Sequence, residues 1–326
     1  MNINKNSIPW VEKYRPVQFN DIILDSTNKQ IFNNIINFKR FPNLLFYGPP
    51  GTGKTTTIIN LIKEYQNKYS FISDDQILHL NASDDRGIEI IRNQIYSFVK
   101  SIGLFNNSIK FVILDEIDYM TKNAQLALRY LIKEKYNNVR YILICNYISR
   151  IDETLQNDFV RIRFNQLPIN DIIKHIENIC INEKLNINRN TIYSIQKLFN
   201  SDIRSMVNYL QSNYINFINN NDNENNDNNS FYILTDDVFI NLIQNAKKEK
   251  MYNDYLQENI KEYIKTLNIN SKTFIKLFLN YLFKHHKLLI NKDSIKLLEL
   301  INYTEGTYNN ECELKILKNI LSNYLV

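Results

Sequence analysis

Short apolar runs recur through the first half of the chain, and each is followed by a longer stretch whose apolar residues fall at helical spacing. The runs are Leu44-Leu45-Phe46-Tyr47, Ile77-Leu78-His79-Leu80-Asn81, Lys110-Phe111-Val112-Ile113-Leu114-Asp115-Glu116, Tyr141-Ile142-Leu143-Ile144-Cys145-Asn146 and the alternating Arg161-Ile162-Arg163-Phe164. Continuous apolar runs bounded by polar residues predict strands buried on both faces, as in a parallel sheet. Helices are predicted over 27–38, from about 57 onward, over 88–99 and over 124–135; on the third, Ile88, Ile91, Ile95 and Phe98 share one face. Strands alternating with helices predict an α/β domain with a parallel sheet over residues 1–165. Ahead of it, Pro9-Trp10-Val11-Glu12-Lys13-Tyr14-Arg15-Pro16 is bracketed by prolines and is expected to run extended. Such an arm could line an adenine pocket or simply pack on the core.

Beyond Pro168 the periodicity is helical throughout. Helices over 171–182, 189–199 and 201–211, the last opened by a Ser201-Asp202 cap, make a three-helix unit within 166–218. Residues 219–230 are nearly all Asn, Asp and Glu and read as a disordered linker. Residues 231–326 read as a second helical domain, with the longest run at 273–290.

Two of the strand ends carry chemistry. Gly48-Pro49-Pro50-Gly51-Thr52-Gly53-Lys54-Thr55-Thr56 follows the first strand and opens a helix, the context that confirms a phosphate-binding loop. Its glycines let backbone N–H groups turn toward a polyphosphate, and the helix N-terminus adds a positive dipole end. Lys54 would reach the β- and γ-phosphates of ATP, and the Thr55 hydroxyl would hold Mg²⁺. Asp115 and Glu116 cap a buried strand at the end where ligands bind in open α/β sheets. Asp115 would hold Mg²⁺, directly or through water, and Glu116 would activate the attacking water. Asn146, at another strand end, could sense the γ-phosphate or act as an ordinary turn residue. Arg204, in the first turn of the third lid helix, could reach back to a phosphate.

Composition adds less. The chain has 326 residues, enough for two or three domains, and a formal charge of +5 with a pI near 8.8, which suits an anionic partner without requiring one. Cys145, Cys180 and Cys312 lie far apart, without metal spacing and with one left over from any disulfide, so a reducing compartment is expected. No apolar run approaches the ~18 residues of a membrane span, so no membrane partner is expected. His285 and His286 are adjacent and point about 100° apart on a helix, which argues for surface residues and not a metal site.

Four strings together resemble one family. Trp10-Val11-Glu12-Lys13-Tyr14-Arg15-Pro16, Tyr47 through Thr55, Leu80-Asn81-Ala82-Ser83-Asp84-Asp85-Arg86-Gly87-Ile88 and Leu114-Asp115-Glu116 resemble the small subunits of replication factor C, the AAA+ clamp loaders of eukaryotes, archaea and some large DNA viruses. The resemblance is strong from about 8 to 164, fair to 211 and weak beyond. It implies an AAA+ ATPase domain, a helical lid and an all-α collar in a heteropentamer that opens a sliding clamp and loads it on primer–template DNA, in the nucleus or a viral replication compartment. It implies that backbone at Val11 and Ile23 contacts adenine, that Gly48 to Thr56 binds the phosphates, and that Asn146 and Arg204 act as the two sensors. Arg86, Arg92 and Arg129 become candidates for phosphate contacts with DNA, against the alternative of a solvated face. Leu104 and Phe105 become candidates for contact with the clamp, against that of a buried anchor. One departure is plain. The family carries Ser-Arg-Cys after a Leu-Gln pair, the arginine completing a neighbour's ATP site, whereas Leu155-Gln156 is followed here by Asn157-Asp158-Phe159. Asp158 reverses that charge, so the chain is not expected to serve its neighbour in the usual way. An ATP-binding scaffold with little turnover is the alternative reading. A homohexameric AAA+ remodeller or helicase ranks below both, since a homomeric ring would need its own trans arginine. A clamp loader for checkpoint or cohesion work, sharing such subunits, also fits.

Overall fold

A computed structural model of the chain describes residues 8–69, 74–83, 89, 91–101, 109–134 and 138–219, with helical residues at 238–240, 243–244, 274, 277–278 and 281. Five parallel strands form one sheet: β1 (Leu44–Tyr47), β2 (Ile77–Asn81), β3 (Lys110–Asp115), β4 (Val139–Cys145) and β5 (Val160–Arg163), in the order β2-β3-β4-β1-β5. The register pairs Leu44 with Ile142 and Val160, and Asn81 with Asp115. Successive residues of a strand point to opposite faces, so each apolar run feeds two cores. Leu45, Val112, Leu114, Tyr141 and Leu143 build one core, and Leu44, Phe46, Phe111, Ile113, Ile142 and Ile144 the other. Helices α2 (Ser26–Asn37) and α3 (Lys54–Tyr69) cover the second face with Phe32, Ile35, Ile58, Leu61 and Ile62. The first face is covered by α4 (Tyr96–Lys100), α5 (Lys122–Lys133) and α6 (Glu153–Gln156), through Val99, Ala124, Leu128, Leu131 and Leu155. Helices thus cover both faces of the sheet, and the α/β fold with a parallel sheet is the one that the pattern predicts.

Two local expectations change. The Pro9–Pro16 arm is not wholly extended: Trp10–Lys13 form a short helix, α1. Pro9 sits at its N-cap, where a missing N–H costs nothing, and Pro16 lies beyond Tyr14, which ends the helix, so neither proline opposes it. The helix predicted over 88–99 runs as a π-helical turn, Ile91–Ile95, before α4. A π-turn carries an extra residue, and here Ile95 and Val99 are both buried in the core.

The lid helices are α7 (Ile169–Asn182), α8 (Arg189–Phe199) and α9 (Ile203–Ser212), followed by α10 (Tyr214–Asn219). Asp202 caps α9 by accepting from the Ser205 N–H at 3.0 Å. By its contacts the chain forms two compact units, Met1–Glu183 with Phe199–Tyr214, and Lys184–Leu198 with Ile215–Val326, so the predicted 166–218 unit is shared between them. In the second unit the Asn186 N–H donates to the Phe217 carbonyl at 3.3 Å, and Phe239 packs on Phe274, Phe278 and Tyr281. The linker and most of 231–326, with His285, His286 and Cys312, lie outside the described residues. Among the described residues no helix is long and apolar enough to cross a membrane.

Candidate nucleotide-binding site

The sheet order places the C-terminal ends of β3, β4 and β1 side by side. Each end delivers one part of the site. After β1 the chain turns through Gly48–Gly53 and enters α3 at Lys54. Gly51 adopts φ +72°, and a Cβ there would lie 1.8 Å from the Asp202 Oδ1. Gly51→Ala therefore strains the backbone and displaces the carboxylate that caps α9. The expected loss of stability is about 1–3 kcal/mol, read by thermal unfolding.

Lys54 is buried in the first turn of α3. Its ammonium donates to the carbonyls of Gly48 (2.9 Å) and Pro49 (2.8 Å) and to the Asn146 Oδ1 (2.9 Å). Burial lowers its pKa from the ordinary lysine value, with the carboxylates of Asp115 and Asp118 pulling the other way. Beside it the Thr55 hydroxyl donates to the Asp115 Oδ2 at 2.6 Å, and the Glu116 N–H donates to the Asp115 Oδ1 at 2.8 Å. Burial alone would raise the Asp115 pKa. The nearby His79, whose Nε2 lies 3.9 Å away, and the bonds from Thr55 and Glu116 outweigh burial and hold the carboxyl below the ordinary range. Glu116 stands in the left-handed region at φ +54°, a conformation that costs a non-glycine residue about 1 kcal/mol or more. That turn follows directly on the strand and leaves Glu116 facing the same cavity.

The cavity is lined by Val11 and Ile23, by Pro50 through Thr56, by Asp115, Glu116 and Asn146, and by Arg204 from α9. Gly48 and Pro49 do not line it; their carbonyls hold Lys54 instead. Tyr14, Arg15, Pro16 and Ile22 add to its wall, as do His175 from α7 and Val207 from α9. Arg15 donates from its Nε to the Thr56 hydroxyl at 3.1 Å. His175 is half-buried, and burial lowers its pKa. No local pattern in the sequence marks His175, because it is one polar residue on an otherwise ordinary amphipathic helix.

The other candidate residues lie apart from this cavity or outside the described residues. Arg129 sits on α5, with its Nε 3.9 Å from the Asp158 Oδ2. Arg92 falls in the π-turn, while Arg86, Leu104 and Phe105 lie outside the described residues.

A parallel sheet with a phosphate-type loop after β1 and paired acids after β3 is the arrangement of a P-loop nucleotide-binding module. The model of the family described as "ATPase family associated with various cellular activities (AAA)" matches residues 44–167. Over a longer stretch the chain is similar in sequence to replication factor C subunits. It is 43% identical over 211 residues to replication factor C subunit 5 of Homo sapiens, covering 65% of this chain and 62% of that one. It is 40% identical over 210 residues to replication factor C subunit 3 of Saccharomyces cerevisiae, covering 64% and 61%. It is 40% identical over 202 residues to replication factor C small subunit 2 of Pyrobaculum islandicum, covering 62% of each. The chain thus spans about three fifths of the length of these curated relatives. Among solved structures, the RuvB Holliday junction branch migration motor of Thermotoga maritima superposes with a TM-score of 0.51 at 13% identity, over 83% of this chain and 91% of that one. That likeness concerns the fold.

Proposed function

We propose that this chain is an ATP-binding and ATP-hydrolysing small subunit of a replication clamp loader, acting in the nucleus or a viral replication compartment. The observation that carries the reading is the meeting of Lys54, Thr55, Asp115, Glu116 and Asn146 at three adjacent strand ends around one cavity. The hydroxyl of Thr55 and the carboxylate of Asp115, 2.6 Å apart, are the hard oxygen ligands that suit Mg²⁺. Bound there, Mg²⁺ would neutralise charge on the β- and γ-phosphates. Lys54 would exchange its loop carbonyls for the same phosphates. The Asn146 Oδ1 accepts from Lys54, which leaves its Nδ2 to donate to the γ-phosphate or the attacking water. Glu116 orients that water and takes its proton. Val11 and Ile23 face the adenine, and Arg204 adds positive charge from the lid.

In the assembly, the lid (166–218) and the helical tail (231–326) would act as lid and collar. Arg86, Arg92 and Arg129 would follow the DNA backbone in a salt-sensitive way. Leu104 and Phe105 would meet the clamp. The partners are the other subunits of a heteropentamer, the sliding clamp and primer–template DNA. The test is native mass spectrometry of the complex purified from its source, with bound nucleotide counted. A heteropentamer of related chains carrying nucleotide on this subunit supports the reading, and a homohexamer overturns it.

A scaffold with little turnover is the second reading, favoured by Asp158. Its Oδ2 lies 3.9 Å from the Arg129 Nε, an acid paired within its own chain where the resembling family presents a cation. Asp158→Ala is expected to leave the neighbouring site's hydrolysis unchanged. Loss of that hydrolysis in an intact complex would overturn this expectation.

A further inference from the structure

Much of the apolar cavity wall comes from the arm and the segment after it, Val11, Tyr14, Pro16, Ile22 and Ile23, with Ile144, Ile203 and Val207 adding to it from β4 and α9. An apolar and aromatic wall beside a phosphate loop suits a purine base. Yet the arm's helix α1 has only four residues, too few to hold itself in place. It is held from two sides. Toward α3, the Pro16 carbonyl accepts from the Asn60 Nδ2 at 2.9 Å, and Arg15 reaches Thr56. Toward the lid, the Trp10 N–H donates to the Gln211 Oε1 at 3.0 Å. A single oxygen, the Glu183 Oε1, accepts from both the Lys13 ammonium and the Tyr14 hydroxyl, each at 2.5 Å.

Glu183 is an unfavourable residue for its place. It is the C-cap of α7, where the helix dipole repels a carboxylate, and its side chain is only 13% exposed. Burial raises its pKa, while the bonds from Lys13 and Tyr14 bring it below the ordinary value. Both costs are offset only while the arm is docked.

We infer that Glu183 is a positioning residue for the nucleobase: through Tyr14 and Lys13 it fixes the arm, so that the grip on the base is tied to the last turn of α7. Glu183 does not line the cavity and acts only through the arm. The inference rests on the ATP-binding reading above.

The test uses the full chain with Mg²⁺ and two probes, ATP and inorganic tripolyphosphate. In Glu183→Ala the Kd for ATP is expected to rise about tenfold, the effect of losing a charge-assisted bond, while the Kd for tripolyphosphate stays put. Tyr14→Phe should cost part of the same loss, and Glu183→Ala should cost less in that background than alone. Trp10, the chain's single tryptophan, packs edge-on against Tyr214 and reports arm docking by its fluorescence. Glu183→Gln keeps an acceptor for Tyr14 but loses the ion pair, and carries the comparison at about threefold should the alanine variant fail to fold. Unchanged ATP affinity, or equal weakening toward both probes, overturns the inference. A wild-type chain that binds neither probe overturns the ATP reading, and this inference with it.

Discussion

Lys54→Ala is expected to weaken ATP binding by about a hundredfold or more, down to the detection limit of a calorimetric titration. Three acceptors hold the ammonium at 2.8–2.9 Å, and none of them is an anion. It is therefore a buried cation that waits for negative charge. A polyphosphate in the loop would replace neutral acceptors with charged ones, and charge-assisted bonds are about twice as strong as neutral ones. Removing such a bond costs about 1.5–3 kcal/mol before the lost long-range attraction is counted. The substitution also frees Asn146 and the carbonyls of Gly48 and Pro49, so the loop loses its internal brace as well. Affinity equal to wild type would remove Lys54 from the proposed role.

Glu116→Gln is expected to do the opposite: ATP binding persists while hydrolysis falls by about 10²- to 10⁴-fold, the range for loss of a positioned base. The amide has nearly the same shape and keeps the left-handed turn, so Asp115 retains its bond from the residue 116 N–H. The amide cannot take a proton from water. The check is a pair of measurements on the assembled complex, nucleotide occupancy and single-turnover hydrolysis. A parallel loss of both would show that Glu116 holds the fold of the site and not the water. Retained hydrolysis would pass the role of base to another group.

The difference between the two variants follows from where the side chains sit. Lys54 is bonded to two loop carbonyls and to Asn146, whereas Glu116 stands in a left-handed turn and lines the cavity. Loss of the first is felt in binding, and loss of the second in the chemical step.

Much of this was legible along the chain because it is local. A phosphate loop is contiguous, and its glycines, lysine and threonine need only a strand before them and a helix after. Buried parallel strands announce themselves as apolar runs, and a carboxylate pair at the end of one marks the edge of the sheet where ligands bind. The fold class and the strands whose ends lead to Lys54, Asp115 and Asn146 follow from those signals.

Other features depended on which distant residues meet. The bond from Lys54 to Asn146 spans 92 positions, and that from Tyr14 to Glu183 spans 169. The prolines around the arm argued for extended chain, and docking on the lid decided otherwise, since four helical residues gain their stability from tertiary contacts. His175 and Glu183 carry no local mark of their own, and nothing next to Asp158 in the chain marks its place beside Arg129. Periodicity and motif spacing report what a residue does to its near neighbours in the chain. The strands, the loop and the acids are therefore readable along the chain. Which side chains brace them is not, because those pairings arise where the sheet order and helix packing bring remote segments within bonding distance.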